Sequence, residues 1–202
     1  MTQKLKAVVL DAMGVIYAIG DDVHGLLCPF IAEKGGSRDI PRIEQLYRSA
    51  SLGNMSAFDF WKAVNVDPEL EDEYLQRQTL SDGLLDFLKE TKQHGHEIWC
   101  LSNDLSEWSK KLRLRFGLGK YINGFVISGD VGLRKPDPAI FHLFVKQSNI
   151  DPHNAIFVDD AKRNLDSAAN VGFETILFRP AEQDSDGHKM VSDFREIKLL
   201  LV

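Results

Sequence analysis

The spacing of apolar residues divides the chain into two regimes. Ala7, Val8, Val9 and Leu10 run together and stop at Asp11, with Gly14 three residues further on. A short continuous apolar run predicts a strand covered on both faces, as in a parallel sheet. An aspartate at the carboxyl end of such a strand stands where open α/β sheets place their ligands. Gly14 lets the backbone come close to whatever Asp11 faces. Taken alone, Asp11 is equally well explained as the cap of a turn. From residue 17 to about Thr79 no strand-like run follows. The apolar residues recur at helical spacing instead: Ile43, Leu46 and Tyr47; Phe58, Trp61 and Val64; Leu70, Tyr74 and Leu75. Asp21 or Asp22 can cap a helix, Ser56 is a further N-cap, and Pro41 and Pro68 suit first helical turns. Gly35-Gly36-Ser37 and Leu52-Gly53-Asn54 are the breakers. Phe58, Phe60 and Trp61 are expected to form the core of this helical segment rather than a ligand cage.

The second regime alternates. A helix capped by Ser81 carries Leu84, Leu85, Phe87 and Leu88 and ends near His94-Gly95. A strand over 97–101 then ends at Ser102-Asn103-Asp104, and a helix over 106–115 follows it. A strand over 124–127 ends at Ser128, and a helix begins at Asp137-Pro138. A strand over 155–158 ends at Asp159-Asp160, its helix runs to about Gly172, and a strand covers 174–178. A polar run from Glu182 to Lys189 leads to a last amphipathic helix with Phe194, Ile197, Leu200 and Leu201. Such alternation predicts right-handed βαβ units, and therefore an α/β fold with a Rossmann-like parallel sheet. Its core domain comprises residues 1–16 and 80–202, and an all-helical cap domain over 17–79 is inserted after the first strand.

Length and composition narrow the function. The 202 residues suffice for one well-buried core with a smaller satellite, and 44% hydrophobic with 27% charged residues is an ordinary globular balance. The net charge of −6 argues against nucleic acid or an anionic membrane as partner. A site for an anionic substrate must then be built locally from a metal, a lysine or helix N-termini. Cys28 and Cys100 make no metal-type pair and no disulfide framework, and Cys100 reads as a core thiol. The short apolar run before Asp11 does not make a signal peptide, and no stretch approaches membrane-spanning length. A reducing cytoplasm is the expected compartment. The sequence leaves a monomer and a homodimer equally open.

In a parallel sheet Asp11, Ser102-Asn103 and Asp159-Asp160 all come to one edge. Gly132-Leu133-Arg134-Lys135-Pro136-Asp137 adds an ammonium group just before a helix N-terminus, because Pro136 keeps Lys135 out of helical geometry. A cation, hard oxygen ligands and a hydroxyl around one carboxylate suit Mg²⁺ and a phosphoryl group. His94 and His96 are too few for zinc, no glycine-rich nucleotide loop is present, and Arg113 and Arg115 read as a solvated helix face.

These motifs resemble those of the haloacid dehalogenase (HAD) superfamily over the whole chain. Asp11 matches the nucleophile motif, Ser102 the second, Lys135 the third and Asp159-Asp160 the fourth. The segments around Ser102, Lys135 and Asp159-Asp160, with Asn164, look like those of small-capped glucose-1-phosphate phosphatases and of the phosphatase domain of soluble epoxide hydrolases. The resemblance implies that Asp11 attacks phosphorus. It also implies that Asp11, Asp160 and the Met13 carbonyl hold Mg²⁺, that Asp159 binds the metal or its waters, and that Asn164 orients the loop. Ser102, the Asn103 backbone and Lys135 would grip a small phosphorylated metabolite, while Arg48, Asn54 and the loop between them would choose it. One position departs from the pattern. Most phosphatases of the superfamily carry an acid/base aspartate two residues after the nucleophile; here that residue is Met13, which transfers no proton. The function expected is a Mg²⁺-dependent phosphatase, because the acidic pair decides for it; the alternatives are a weakly catalytic module that binds a phosphorylated ligand and a 2-haloacid dehalogenase.

Overall fold

The computed structural model describes residues 7–179 and 187–201. Six parallel strands form one sheet in the order β3-β2-β1-β4-β5-β6. They are β1 (Ala7–Leu10), β2 (Ile98–Ser102), β3 (Gly124–Ile127), β4 (Ala155–Asp159), β5 (Glu174–Phe178) and β6 (Lys189–Val191). The continuous apolar run of β1 has the expected cause, since helices cover both faces of the sheet. Val8 and Leu10 join a core that includes Phe87, Leu88, Phe194 and Ile197. Ala7 and Val9 join a second one with Phe141, Phe144, Phe157 and Phe173. The crossover helices are α5 (Leu84–Gln93), α6 (Ser106–Arg115), the short α7 (Ser128–Val131), α8 (Pro138–Ser148) and α9 (Lys162–Val171), and α10 (Phe194–Lys198) closes the described chain. Asp137 caps α8, accepting from the Ala139 N–H at 2.9 Å, with Pro138 in the first turn.

Between β1 and α5 the chain is helical, as the spacing predicts. A π-helical turn (Val23–Leu27) runs into α1 (Cys28–Glu33), followed by α2 (Ile40–Ala50), α3 (Ala57–Ala63), a 3₁₀ turn (Pro68–Leu70) and α4 (Glu71–Gln76). Ser56 caps α3 by accepting from the Asp59 N–H. Phe60 and Trp61 are fully buried, whereas Phe58 is 59% exposed. The apolar stripe of α3 runs through Ala57, Phe60, Trp61 and Val64, one residue earlier than a start at Phe58 implies. These inserted helices share one continuous core with the sheet. Trp108 of α6 lies 5.3 Å from Trp61, 4.9 Å from Tyr74 and 5.5 Å from Phe60, centroid to centroid. Glu71 ties the seam polarly, accepting from both the Trp61 and Trp108 indole N–H groups at 3.0 and 2.9 Å.

Three local expectations are corrected, and one left between two residues is decided. Helix α5 begins at Leu84 behind a left-handed Gly83, with Ser81 supplying its carbonyl rather than its side chain. Asp21, not Asp22, accepts the N–H of His24 at the first inserted turn. Arg115 does not merely face solvent, because its guanidinium donates to the carbonyls of Leu75 and Gln76 at the end of α4. The polar run before the last helix, where it is described, ends in an edge strand, β6, pairing with β5; the expected run over 182–186 lies outside the described residues.

Candidate active site

Strand β1 is central in the sheet, between β2 and β4, so the residues leaving the ends of these three strands meet. Asp11 follows β1 and is pinned to the edge of β4 by its N–H donating to the Val158 carbonyl at 2.9 Å. Its Oδ1 accepts from the Ala12 N–H at 2.6 Å and lies 2.7 Å from Lys135 Nζ. The same ammonium lies 2.7 Å from Asp159 Oδ2. Lys135 reaches this point because Asn103 clips its backbone twice: Asn103 Oδ1 accepts from the Lys135 N–H at 2.8 Å, and Asn103 Nδ2 donates to the Lys135 carbonyl at 3.0 Å.

The acidic pair divides into two kinds of carboxylate. Asp159 is fully buried and saturated, accepting from the Ala161 N–H, from Asn164 Nδ2 with both oxygens, and from Lys135. Asp160 is packed between two glycines: a Cβ on either Gly14 or Gly20 would sit 2.3 Å from its Oδ2. The closeness inferred from Gly14 is therefore an approach of the backbone to Asp160, and its positive φ of 76° reinforces the need for glycine. Asp11, Asp159 and Asp160 offer oxygens that all lie within 4.8 Å of one another, and they are the only such acidic, histidine or cysteine cluster among the described residues. His94 instead contacts the Glu90 carbonyl at the end of its own helix.

Crowding sets the electrostatics. Burial, then Asp159, push the Asp11 carboxyl well above the usual range, outweighing Lys135. Asp160 is raised to about 6 by burial and Asp159, against Lys135 and Arg179. For Lys135 burial works against the charge, but Asp11 and Asp159 outweigh it and hold the ammonium protonated. Three carboxylates against one ammonium leave a net negative pocket of hard oxygens, which fits a small divalent cation such as Mg²⁺ and would be relieved by it.

Above this floor opens a cavity of about 540 Å³, lined among others by Asp11, Met13, Asp160, Asn103, Tyr47 and Arg48. Ser102 lies beneath, 1% exposed, with its Oγ lacking any partner among the described residues. Met13 is nearly buried, and its Sδ accepts only a weak 3.9 Å contact from Gln78 Nε2. Asn54 stands apart, exposed on the turn after α2 and outside the cavity lining. The cavity also brings in residues with no part in the site foreseen from the sequence: Arg134, Arg163, Arg179 and the buried Asp22, expected only as an alternative helix cap. Two of them carried a positional signal, since Arg134 precedes Lys135 and Arg163 lies in the first turn after the acidic pair. Among the described residues no helix is long and apolar enough to cross a membrane.

The sequence and the fold have known counterparts. The family profile of the haloacid dehalogenase-like hydrolases matches residues 5–172, and the chain belongs to that family of hydrolases. A D-ribitol-5-phosphate phosphatase of Bacteroides thetaiotaomicron is 25% identical over 194 residues, covering 87% of this chain and 92% of that one. An (S)-2-haloacid dehalogenase of Burkholderia cepacia is also 25% identical, over 87% of this chain and 84% of its own. A phosphoserine phosphatase of Thermus thermophilus is 26% identical, but the match spans 56% of this chain and under half, 47%, of that relative. Among solved structures, a HAD family enzyme of B. thetaiotaomicron in complex with magnesium and inorganic phosphate superposes with a TM-score of 0.74 at 19% identity, covering 90% of this chain and 98% of that one. The α/β fold expected from the sequence is thus the fold of this family.

Proposed function

We propose that the protein is a Mg²⁺-dependent phosphatase of small phosphorylated metabolites, with Asp11 as nucleophile. One observation carries the reading: the Asp11 carboxylate lines the cavity while its Oδ1 rests 2.7 Å from Lys135 and beside two further carboxylates. Asp11 and Asp160, with the Met13 carbonyl, would hold the cation, which when bound offsets the repulsion between carboxylate and phosphate. Asp159, which accepts from four donors, would position Lys135 and the loop and bind the cation or its waters. The orphaned Ser102 hydroxyl, the Asn103 backbone and the Lys135 ammonium would take the phosphoryl oxygens.

In the reaction an Asp11 oxygen bonds to phosphorus while the bond to the ester oxygen breaks, and the leaving oxygen gains a proton. Water then attacks the phosphorus of the aspartyl-phosphate, freeing inorganic phosphate and the Asp11 carboxylate. Met13 gives no proton to either step, and general acid–base help is worth ~10²–10⁴-fold. Substrates with good leaving groups are therefore favoured. The division into a core (1–16 and 80–202) and a cap (17–79) belongs to this reading, the cap shielding the phosphoryl group and selecting its carrier. Two buried free thiols fit a reducing cytoplasm.

Met13 also motivates a second reading, a module that binds a phosphorylated ligand with little turnover. A dehalogenase needs no proton for its leaving halide, but the clustered carboxylates built to take a cation argue against it. Phosphate release from sugar and aryl phosphates, with Mg²⁺ and with EDTA, on wild type, Asp11→Asn and Met13→Asp separates these. The phosphatase reading expects Mg²⁺-dependent release lost in Asp11→Asn, and faster turnover of alkyl esters in Met13→Asp. Turnover surviving Asp11→Asn would overturn it; ligand binding without any release supports the binding module.

A further inference from the structure

The cavity walls carry cations that the floor does not use. Arg48 comes from α2, Arg134 from the loop before α8, and Arg163 from the first turn of α9, and all three line the cavity. None forms an ion pair with a carboxylate among the described residues. Arg134 is the most constrained. Its guanidinium donates to Ser51 Oγ and lies 5.7 Å above the Tyr47 ring. Burial, and then the charges of Arg48 and Arg163, disfavour its protonated state, with Tyr47 and Asp22 opposing them. The three guanidinium groups repel one another across the cavity, and no carboxylate among the described residues pairs directly with any of them.

The nearby acids are otherwise engaged. His24 draws Asp21 to 2.9 Å through Nδ1 and Glu44 to 3.3 Å through Nε2, so these two carboxylates are held together on one imidazole. Asp22 is buried, one of its oxygens has no partner, and burial holds its proton to about neutral pH. The cavity therefore holds two sets of groups: the carboxylates of Asp11 and Asp160, suited to a cation and a phosphoryl group, and the guanidinium groups of Arg48, Arg134 and Arg163, which have no carboxylate partner among the described residues. At about 540 Å³ it holds considerably more than a phosphate.

We infer that the substrate carries a second anionic group besides its phosphoryl ester, a carboxylate or a second phosphate, held by Arg48, Arg134 and Arg163. Planar guanidinium groups match both, since each presents oxygens that accept paired N–H donors. The inference rests on the phosphatase reading of the floor, and goes beyond it by fixing the class of the substrate.

Matched ligand pairs test it. The ester of phosphate with 3-hydroxypropionate is compared with propyl phosphate, and propane-1,3-diol bisphosphate with the same propyl ester. Calorimetry on the Mg²⁺-loaded Asp11→Asn protein reads binding without turnover, and kcat/KM on the otherwise unaltered protein reads turnover. The expected result is a preference of about tenfold or more for the member that carries the second anionic group. The two pairs show whether carboxylate or phosphate is preferred. Arg48→Gln and Arg163→Gln, both at exposed positions, should each reduce that ratio severalfold; Arg134, half-buried against Ser51, is left intact. A ratio near one in the parent protein overturns the inference, as does a ratio unchanged in both variants. Equal loss of inorganic phosphate binding in the variants also overturns it, placing the arginines on the phosphoryl group itself. Preferential binding with no hydrolysis of any ester leaves the inference standing and removes the phosphatase reading. Hydrolysis without preference does the opposite, and absence of binding by every ligand removes both.

Discussion

Asp22→Asn tests the electrostatics of the inserted helices directly. Asp22 is 6% exposed, its Oδ2 has no partner among the described residues, and burial raises its carboxyl from 3.8 to about 7, with Asp21 adding to the shift and Arg134 opposing it. Tyr47, Tyr74 and Asp104 also feel its charge. The folded state keeps this proton over a range in which the unfolded chain has lost it. Stability from Asp22 is therefore fully present below the unfolded value and is lost as the pH rises through about 7. One pKa unit is worth about 1.4 kcal/mol, so from pH 5 to pH 7, where the folded group is half ionised, the protein should lose about 2 kcal/mol through this one group. Asparagine cannot ionise. Whatever it costs in packing or unpaired donors, that cost does not follow this titration. Urea unfolding of wild type and variant at pH 5 and pH 8 gives a double difference free of the packing term. The variant should gain about 2–3 kcal/mol on wild type between the two pH values. A difference constant to within about 0.5 kcal/mol would show that Asp22 is ionised and solvated in the fold, and would refute the reasoning.

Two further substitutions probe the floor and the seam. Gly20→Ala is compatible with its backbone conformation, but its Cβ would stand 2.3 Å from Asp160 Oδ2, so the carboxylate must move. Mg²⁺ affinity measured by calorimetry should fall about tenfold or more while the melting temperature changes little, and unchanged affinity would remove Asp160 from the cation site. Glu71→Ala leaves two buried indole N–H groups without an acceptor and should cost about 2–4 kcal/mol in urea unfolding. Glu71→Gln keeps an amide oxygen for them and should cost clearly less; equal losses would show that charge, including the Lys111 pair at 2.8 Å, matters more than acceptance.

What the sequence makes legible is what local periodicity and strand ends encode. The buried run before Asp11, the strand end at Ser102 and the acidic pair after β4 all announce themselves within a few residues, and the parallel topology then obliges them to meet. Strand β6 escapes because Lys189–Val191 is three residues long and follows a polar run, so its own residues carry little strand signal and its pairing with β5 decides it. The second role of Asn103 is equally silent in sequence: the side chain, not only the backbone, matters, because it clips Lys135 from across the sheet edge. The convergence of Arg48, Arg134 and Arg163 needs three separate elements to be folded before it exists. Asn54 shows the converse, since closeness to Arg48 along the chain does not bring it to the cavity.

The aromatic seam around Trp108 governs how a ligand can travel. Separating the inserted helices from α6 would uncover that indole and the faces of Trp61, Tyr74 and Phe60 that meet it. Such an opening exposes on the order of 300–400 Å² of ring surface, costing about 8–10 kcal/mol before the Glu71 contacts are counted. A state so costly would be visited less than about once in a million molecules. A ligand is therefore expected to enter and leave the cavity without this seam parting. On the phosphatase reading, the size of the substrate is then set by the cavity as it stands rather than by the rate of any swinging door.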